Sequence, residues 1–214
     1  MSDARRAAAV VYVHGLWMTG IESVWLRRRL ARERGFECHV FRYPSVRGAQ
    51  ERILAALRDT IAAVDAPQVH LVGHSLGGLV IQSCLARYPM RQPGRVVFLG
   101  TPAAGSLAAR RLAQSRWGLR MLGASSAREL LGGQPRRWDS ERELGIIAGT
   151  LPLGFGRLLL KFDEDNDGTV AVSETRIAGA AAFLPLPTTH SGLLLSARVA
   201  RETGSFLEYG RFGR

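Results

Sequence analysis

Ser75 stands in Gly73-His74-Ser75-Leu76-Gly77-Gly78, between the apolar run Val69-His70-Leu71-Val72 and a stretch that resumes as a helix-forming segment. The spacing G-x-S-x-G suits a serine on a sharp strand-to-helix turn, because glycines two residues to either side remove side chains that would block so close a backbone approach. Such a turn presents the hydroxyl to a substrate, and the chemistry it serves is nucleophilic attack on an acyl carbon. A Ser/Gly-rich structural turn at a strand end is the bland alternative, so the reading depends on partners elsewhere in the chain.

A serine hydroxyl is a poor nucleophile at neutral pH and needs a general base, itself oriented by a third group. Of five histidines, His14 and His74 belong to turn motifs, and His39 and His70 fall inside strand-like runs where core roles are the default. His190, in Thr188-Thr189-His190-Ser191-Gly192, follows the last strand-like run and is the candidate base. The chain order Ser, then acid, then His directs the search for the acid to Asp163-Glu164-Asp165-Asn166-Asp167-Gly168-Thr169-Val170. Asp167 is favoured because Gly168 permits a tight turn, with Asp163 and Asp165 as runners-up. The same stretch also fits a calcium-loop pattern, with Asp163, Asp165, Asp167, Gly168 and Glu174 in register and Val170 at the usual apolar position. Against calcium, residues 175–187 read as a turn and a strand, not as an exiting helix. Backbone N–H donors for a tetrahedral oxyanion are expected from Leu76, just after the serine, and from Leu16, after His14-Gly15.

These residues need a scaffold that brings loops together. Ala8 to Val13, Phe36 to Tyr43, Val69 to Val72, Arg95 to Leu99, Leu144 to Ala148 and Ala181 to Leu186 read as strands. Glu22 to Arg34, Gln50 to Val64, Leu76 to Tyr88 and Ser191 to Leu207 read as helices, the first closed by Gly35. The regular alternation predicts an α/β fold, a parallel sheet of about six strands with helices on both faces, whose loops gather Ser75 and His190 at one end. Residues 103–143, rich in Arg, Leu, Gly and Ser and without a strand-like run, are expected to form a small helical cap within a single domain spanning 1–214. Cap residues Leu107, Leu112, Trp117, Leu119, Met121 and Leu122, with Trp17, are placed to line a pocket for an apolar acyl chain or, as the alternative, to form an ordinary cap core.

The formal charge is +11, yet Lys161 is the sole lysine and the arginines are scattered. Scatter without a nucleic-acid-binding motif excludes nucleic acid as a partner and leaves at most transient contact with a membrane surface. Cys38 and Cys84 have no C-x-x-C spacing and are expected as reduced, buried thiols. Basic residues near the start precede an apolar run, Ala7 to Val13, whose removal as a signal would delete a core strand. No stretch approaches the roughly 20 apolar residues of a membrane span, so a soluble, cytoplasmic protein is expected.

Taken together, His14-Gly15, Gly73-His74-Ser75-Leu76-Gly77-Gly78, Gly100-Thr101-Pro102, Asp167-Gly168-Thr169-Val170 and His190 resemble the α/β-hydrolase superfamily. Within it they are most similar to small bacterial lipases, esterases and GPI inositol-deacylase-like proteins. The resemblance implies a Ser75, Asp167, His190 triad, an oxyanion donor at Leu16, cleavage of a small-molecule ester or lipid, and no cofactor or metal. A catalytically idle hydrolase fold serving as a binding module, with calcium in the 163–174 loop, is the rival reading. Against the family's usual pattern the chain is read as starting directly at the His14-Gly15 strand, as minimal lipases do, and no secretion signal is expected.

Overall fold

The strands are β1 (Ala9–Val13), β2 (Glu37–Phe41), β3 (Val69–His74), β4 (Val96–Leu99), β5 (Leu144–Gly149) and β6 (Ala182–Leu186). The computed structural model describes residues 8–90, 92–131, 137–153 and 162–213. The strands form one open sheet in the order β2-β1-β3-β4-β5-β6, with every neighbouring pair parallel. Around it lie α1 (Val24–Arg34), α2 (Gln50–Ala62), α3 (Leu76–Arg87), α4 (Leu107–Leu112), α5 (Arg116–Leu122), α6 (Ala124–Leu131), α7 (Val172–Thr175) and α8 (Ala197–Tyr209).

The four central strands, β1, β3, β4 and β5, are buried on both sides, which is why they read as continuous apolar runs instead of alternating ones, while the edge strands β2 and β6 are partly exposed. Side chains of successive strand residues point to opposite faces. Val11, Val13, Leu71, Phe98 and Ile146 accordingly join one buried cluster with Leu57 and Ile61 of α2 and Leu79 of α3. Val10, Tyr12, Val72, Val97 and Ile147 join a second with Leu26 and Leu30 of α1 and Phe206 of α8. Cys84 is buried and Cys38 half-buried, both as free thiols. Burial pushes the Cys84 thiol up to about 12 and the Cys38 thiol up to about 11.

The expected helix over 191–207 is two elements. A short 3₁₀ turn, Gly192–Leu194, is followed by α8, whose N-cap Ser196 accepts from the Val199 N–H at 3.4 Å. The Ser196 hydroxyl competes locally for the backbone and restarts the helix. Between β4 and β5, α4, α5 and α6 take the place read as a cap. α6 packs beside α3, and Ser83 on α3 donates to Glu129 at 2.8 Å. The reading of the leader on residues 1–7 and of the cap at 132–136, like Lys161, falls outside the described residues. No described helix is long and apolar enough to cross a membrane.

Strand order reverses at β1: the chain passes to β2 on one side and to β3 on the other. The loops leaving β1 and β3 therefore part around a crevice at the C-terminal edge of the sheet, where ligands bind in such folds.

Candidate active site

Ser75 is the residue between β3 and α3, with φ +54° and ψ −123°, a region that disfavours any residue but glycine. The turn is held by the Ser75 N–H donating to Leu99 O at 2.9 Å and the Gly78 N–H donating to Ser75 O at 3.1 Å. The neighbouring glycines are demanded by packing. A Cβ on Gly77 would stand 2.1 Å from Val13 O, and one on Gly73 would stand 2.5 Å from the backbone of Gly78. Ser75 is half-buried and follows a strand that is buried throughout.

His190 and Asp167 come together. His190 Nδ1 lies 2.6 Å from Asp167 Oδ2, and the His190 N–H donates to Asp167 O at 2.9 Å. The other carboxylate oxygen, Oδ1, accepts from the N–H groups of Thr169 and Val170 at 2.9 and 2.8 Å. Gly168 takes φ +91°, which closes this turn. With both carboxylate oxygens engaged and the side chain buried, Asp167 has one orientation available. Gly100, at φ +57°, lies beneath the pair: a Cβ there would reach Asp167 Oδ2 at 3.0 Å and His190 Nδ1 at 3.1 Å.

Two further histidines brace the site. His74, fully buried, donates from Nε2 to His190 O at 3.1 Å, and the two rings are 4.7 Å apart. Burial first, and the neighbouring His190 second, push the His74 pKa down to about 3, so His74 is a neutral donor. The backbone of His190 is thus held by Asp167 on one side and on the other by the residue before Ser75. His14 stacks on Tyr43 with ring centroids 4.3 Å apart, donates from Nδ1 to Gly15 O at 2.8 Å and accepts the Tyr43 N–H at 3.2 Å. The sequence marked both as turn-motif residues; their bracing roles depend on partners far along the chain. Among the described residues no hydrogen bond joins Ser75 Oγ to the His190 ring. Bonds of this kind commonly tighten once substrate is bound.

Beside Ser75, the loop after β1 approaches closely, since a Cβ on Gly15 would stand 3.1 Å from Ser75 Cβ. Among the described residues the N–H groups of Leu16 and Leu76 find no acceptor, which leaves two donors near the serine. The next residue, Trp17, is held at φ +60° by its N–H donating to Ser45 Oγ at 3.1 Å.

The calcium-loop carboxylates are not gathered: among the described residues no three acidic, His or Cys side chains group around a possible ion. Asp167 faces His190, and Glu174 accepts the N–H groups of Ala171, at 3.0 Å, and Leu107. Of the apolar residues placed to line an acyl pocket, Leu122 is buried and Leu107 and Leu112 are half-buried, whereas Leu119, Met121, Trp117 and Trp17 face solvent, the last two 81% and 56% exposed. A groove of about 1140 Å³ does exist, but at the opposite edge of the sheet, beside His70, Gln82, Arg95 and Arg142. Its lining includes His70, Asp139, Ser140 and Glu141, but among the described residues no hydrogen bond joins these groups to one another, and chemistry outweighs volume in locating the site. His70 lies there buried and accepts the Arg95 N–H at 2.9 Å, the core role expected of it.

A sequence profile of the alpha/beta hydrolase family matches residues 10–205. No curated protein matches the chain. Among solved structures, a Bacillus licheniformis lipase, BlEst2, in its propeptide form superposes with a TM-score of 0.66 at 23% identity, over 90% of this chain and 48% of its own. The metagenomic carboxyl esterase MGS0156 gives 0.63 at 21%, over 89% and 66%. The pyrethroid hydrolase PytH gives 0.66 at 15%, over 95% and 99%. The chain therefore spans about half the length of the first and about two thirds of the second. At such identities the likeness is one of fold, and it agrees with the six-stranded parallel sheet and with the profile match over most of the chain: this protein belongs to the alpha/beta hydrolase family.

Proposed function

We propose that the protein is a serine hydrolase that cleaves carboxylic esters through an acyl-enzyme on Ser75. The observation that carries this reading is the strained Ser75 turn at the sheet edge that also holds the 2.6 Å His190–Asp167 pair. In this mechanism Ser75 Oγ bonds to the ester carbonyl carbon while His190 Nε2 takes the hydroxyl proton. Asp167 orients the imidazole through Nδ1 and stabilises the imidazolium. The N–H groups of Leu16 and Leu76 receive the oxyanion. As the tetrahedral adduct collapses, the C–O bond to the alcohol breaks and His190 returns the proton to the leaving alkoxide. Water then attacks the acyl carbon, giving its proton to His190, and the carboxylic acid leaves as Ser75 regains a proton. The residues suffice for every proton transfer in the cycle, so the proposal includes no cofactor.

A fluorophosphonate probe tests the assignment. Ser75 is expected to label, and Ser75→Ala to abolish both labelling and turnover of a p-nitrophenyl ester. Equal labelling of the variant would place the nucleophile elsewhere, and an unlabelled parent chain would favour an idle binding fold.

A further inference from the structure

Helix α5 turns an unusual surface to solvent. Trp117, Leu119 and Met121 are 81%, 43% and 48% exposed, while the helix buries Gly118 and Leu122. Solvent-facing apolar side chains this concentrated mark an interaction surface. Along residues 103–128 the charges are of one sign, from Arg110, Arg111, Arg116, Arg120 and Arg128, and Glu129, which follows on α6, is buried. Arg110 lies 3.7 Å from Glu174. Arg116 and Arg120, on α5 itself, are exposed and have no ion-pair partner among the described residues. The surface continues toward the candidate active site, because the Trp17 indole, one residue beyond Leu16, donates from Nε1 to Met121 O at 3.0 Å.

The mixture of charge and apolar surface selects the occupant. A second copy of the chain would set arginines against arginines in a protein of formal charge +11. A nucleic acid would satisfy the arginines but leave Leu119 and Met121 in water. An anionic phospholipid surface accepts both, with tryptophans at the level of the headgroups, aliphatic side chains toward the acyl region and guanidinium groups on phosphates. We propose that the α5 face, extended by Trp17, docks the protein on anionic phospholipid membranes and sets the mouth of the Ser75 site against the lipid. That membrane-borne esters are then the substrates rests on the reading of Ser75 as a nucleophile; the docking does not.

Docking is measured by sedimentation of the Ser75→Ala chain with vesicles of phosphatidylcholine alone or mixed with phosphatidylglycerol. Binding is expected to the mixed vesicles, weakening as salt is raised, and not to phosphatidylcholine alone. Arg116→Gln with Arg120→Gln should lower partitioning about 25-fold, at roughly fivefold per arginine near an anionic surface. Trp117→Ser with Met121→Ser, which leaves the charge unchanged, should lower it about tenfold or more. Equal binding to both vesicle types, no binding to either, or an arginine variant that partitions like its parent would each overturn the proposal. So would self-association of the chain that protects Trp117 from a collisional quencher. In the Ser75 background the arginine variant should hydrolyse a soluble p-nitrophenyl ester at the parent rate while losing turnover of vesicle-borne ester. If the parent hydrolyses no soluble ester, the nucleophile reading fails, and the vesicle result still decides the docking.

Discussion

At the scale of single residues, the acidic loop separates one carboxylate from its neighbours. Asp167 is buried and uses both oxygens, whereas Asp163 and Asp165 are exposed. Asp167→Asn sets an amide where the Nδ1–H of His190 needs an acceptor and favours the wrong tautomer. It is expected to lower kcat by roughly 10⁴-fold, the loss seen for the corresponding change in a serine-protease triad. Asp163→Asn and Asp165→Asn should leave kcat within about twofold, surface substitutions of this kind being close to neutral. Steady-state kinetics on one soluble ester compares all three, and equal losses would remove Asp167 from the proposed triad. His74 offers a finer test. Its Nε2–H reaches the His190 carbonyl at 3.1 Å, a single hydrogen bond worth about 1 kcal/mol. His74→Phe should therefore lower kcat roughly five- to tenfold with KM unchanged, and His74→Gln, whose amide can occupy the same donor position, should restore most of it. A loss shared equally by both variants would point to packing alone.

At the scale of elements, the site depends on how closely α3 approaches β1. The helix starts one residue after the serine, and Gly77 lies where any side chain would enter the Val13 and His14 carbonyls, at 2.1 and 2.7 Å. Gly77→Ala must push α3 away from the sheet, and overpacking of this kind costs about 3 kcal/mol or more. Thermal melts should show a Tm lowered by roughly 6–12 °C, at about 2–4 °C per kcal/mol for a chain of this size. Gly35 provides the contrast: it ends α1 at φ +69°, and a Cβ there would meet nothing within 4 Å. Gly35→Ala should lower Tm by roughly 2–4 °C, reflecting about 1 kcal/mol of left-handed strain. Equal losses at the two positions would show that backbone conformation, not close approach, dominates at Gly77.

At the scale of the whole molecule, two buried histidines make folding sensitive to acid. Burial first, with Arg95 and Arg142 adding to it, holds His70 down to about 4, and His74 is held at about 3. In the unfolded chain both titrate near 6.5, so below that pH the unfolded state binds more protons. Stability is then full above about pH 6.5 and falls as the pH drops toward 4 and below. His70 alone removes about 3 kcal/mol over that interval, at about 1.4 kcal/mol per unit of depression. His70→Asn keeps an acceptor for the Arg95 N–H but cannot titrate, and should flatten the slope of denaturation free energy between pH 6.5 and 4. An unchanged slope would mean that His70 does not enter the fold as a neutral group.

The sheet and the serine turn are legible in the amino-acid sequence, because both are encoded locally. Continuous β-branched runs specify strands buried on two faces, and Gly73, Gly77 and Gly78 surround a serine that must adopt a positive φ. The sequence also placed Asp167 and His190 among the candidates, through chain order and the turn-forming Gly168. Local signals fell short where competing contacts decide. The Ser196 hydroxyl divides the last helix, and in the 163–174 loop, which matches a calcium pattern residue by residue, Asp167 bonds His190 and backbone N–H groups, Glu174 bonds backbone N–H groups, and Asp163 and Asp165 face solvent. Tertiary structure alone decided that His74 bonds the loop of His190, a partner 116 residues further along the chain. It alone turned Trp117 outward, for the period of a seven-residue helix, with apolar residues on nearly every side, does not say which face will find the core.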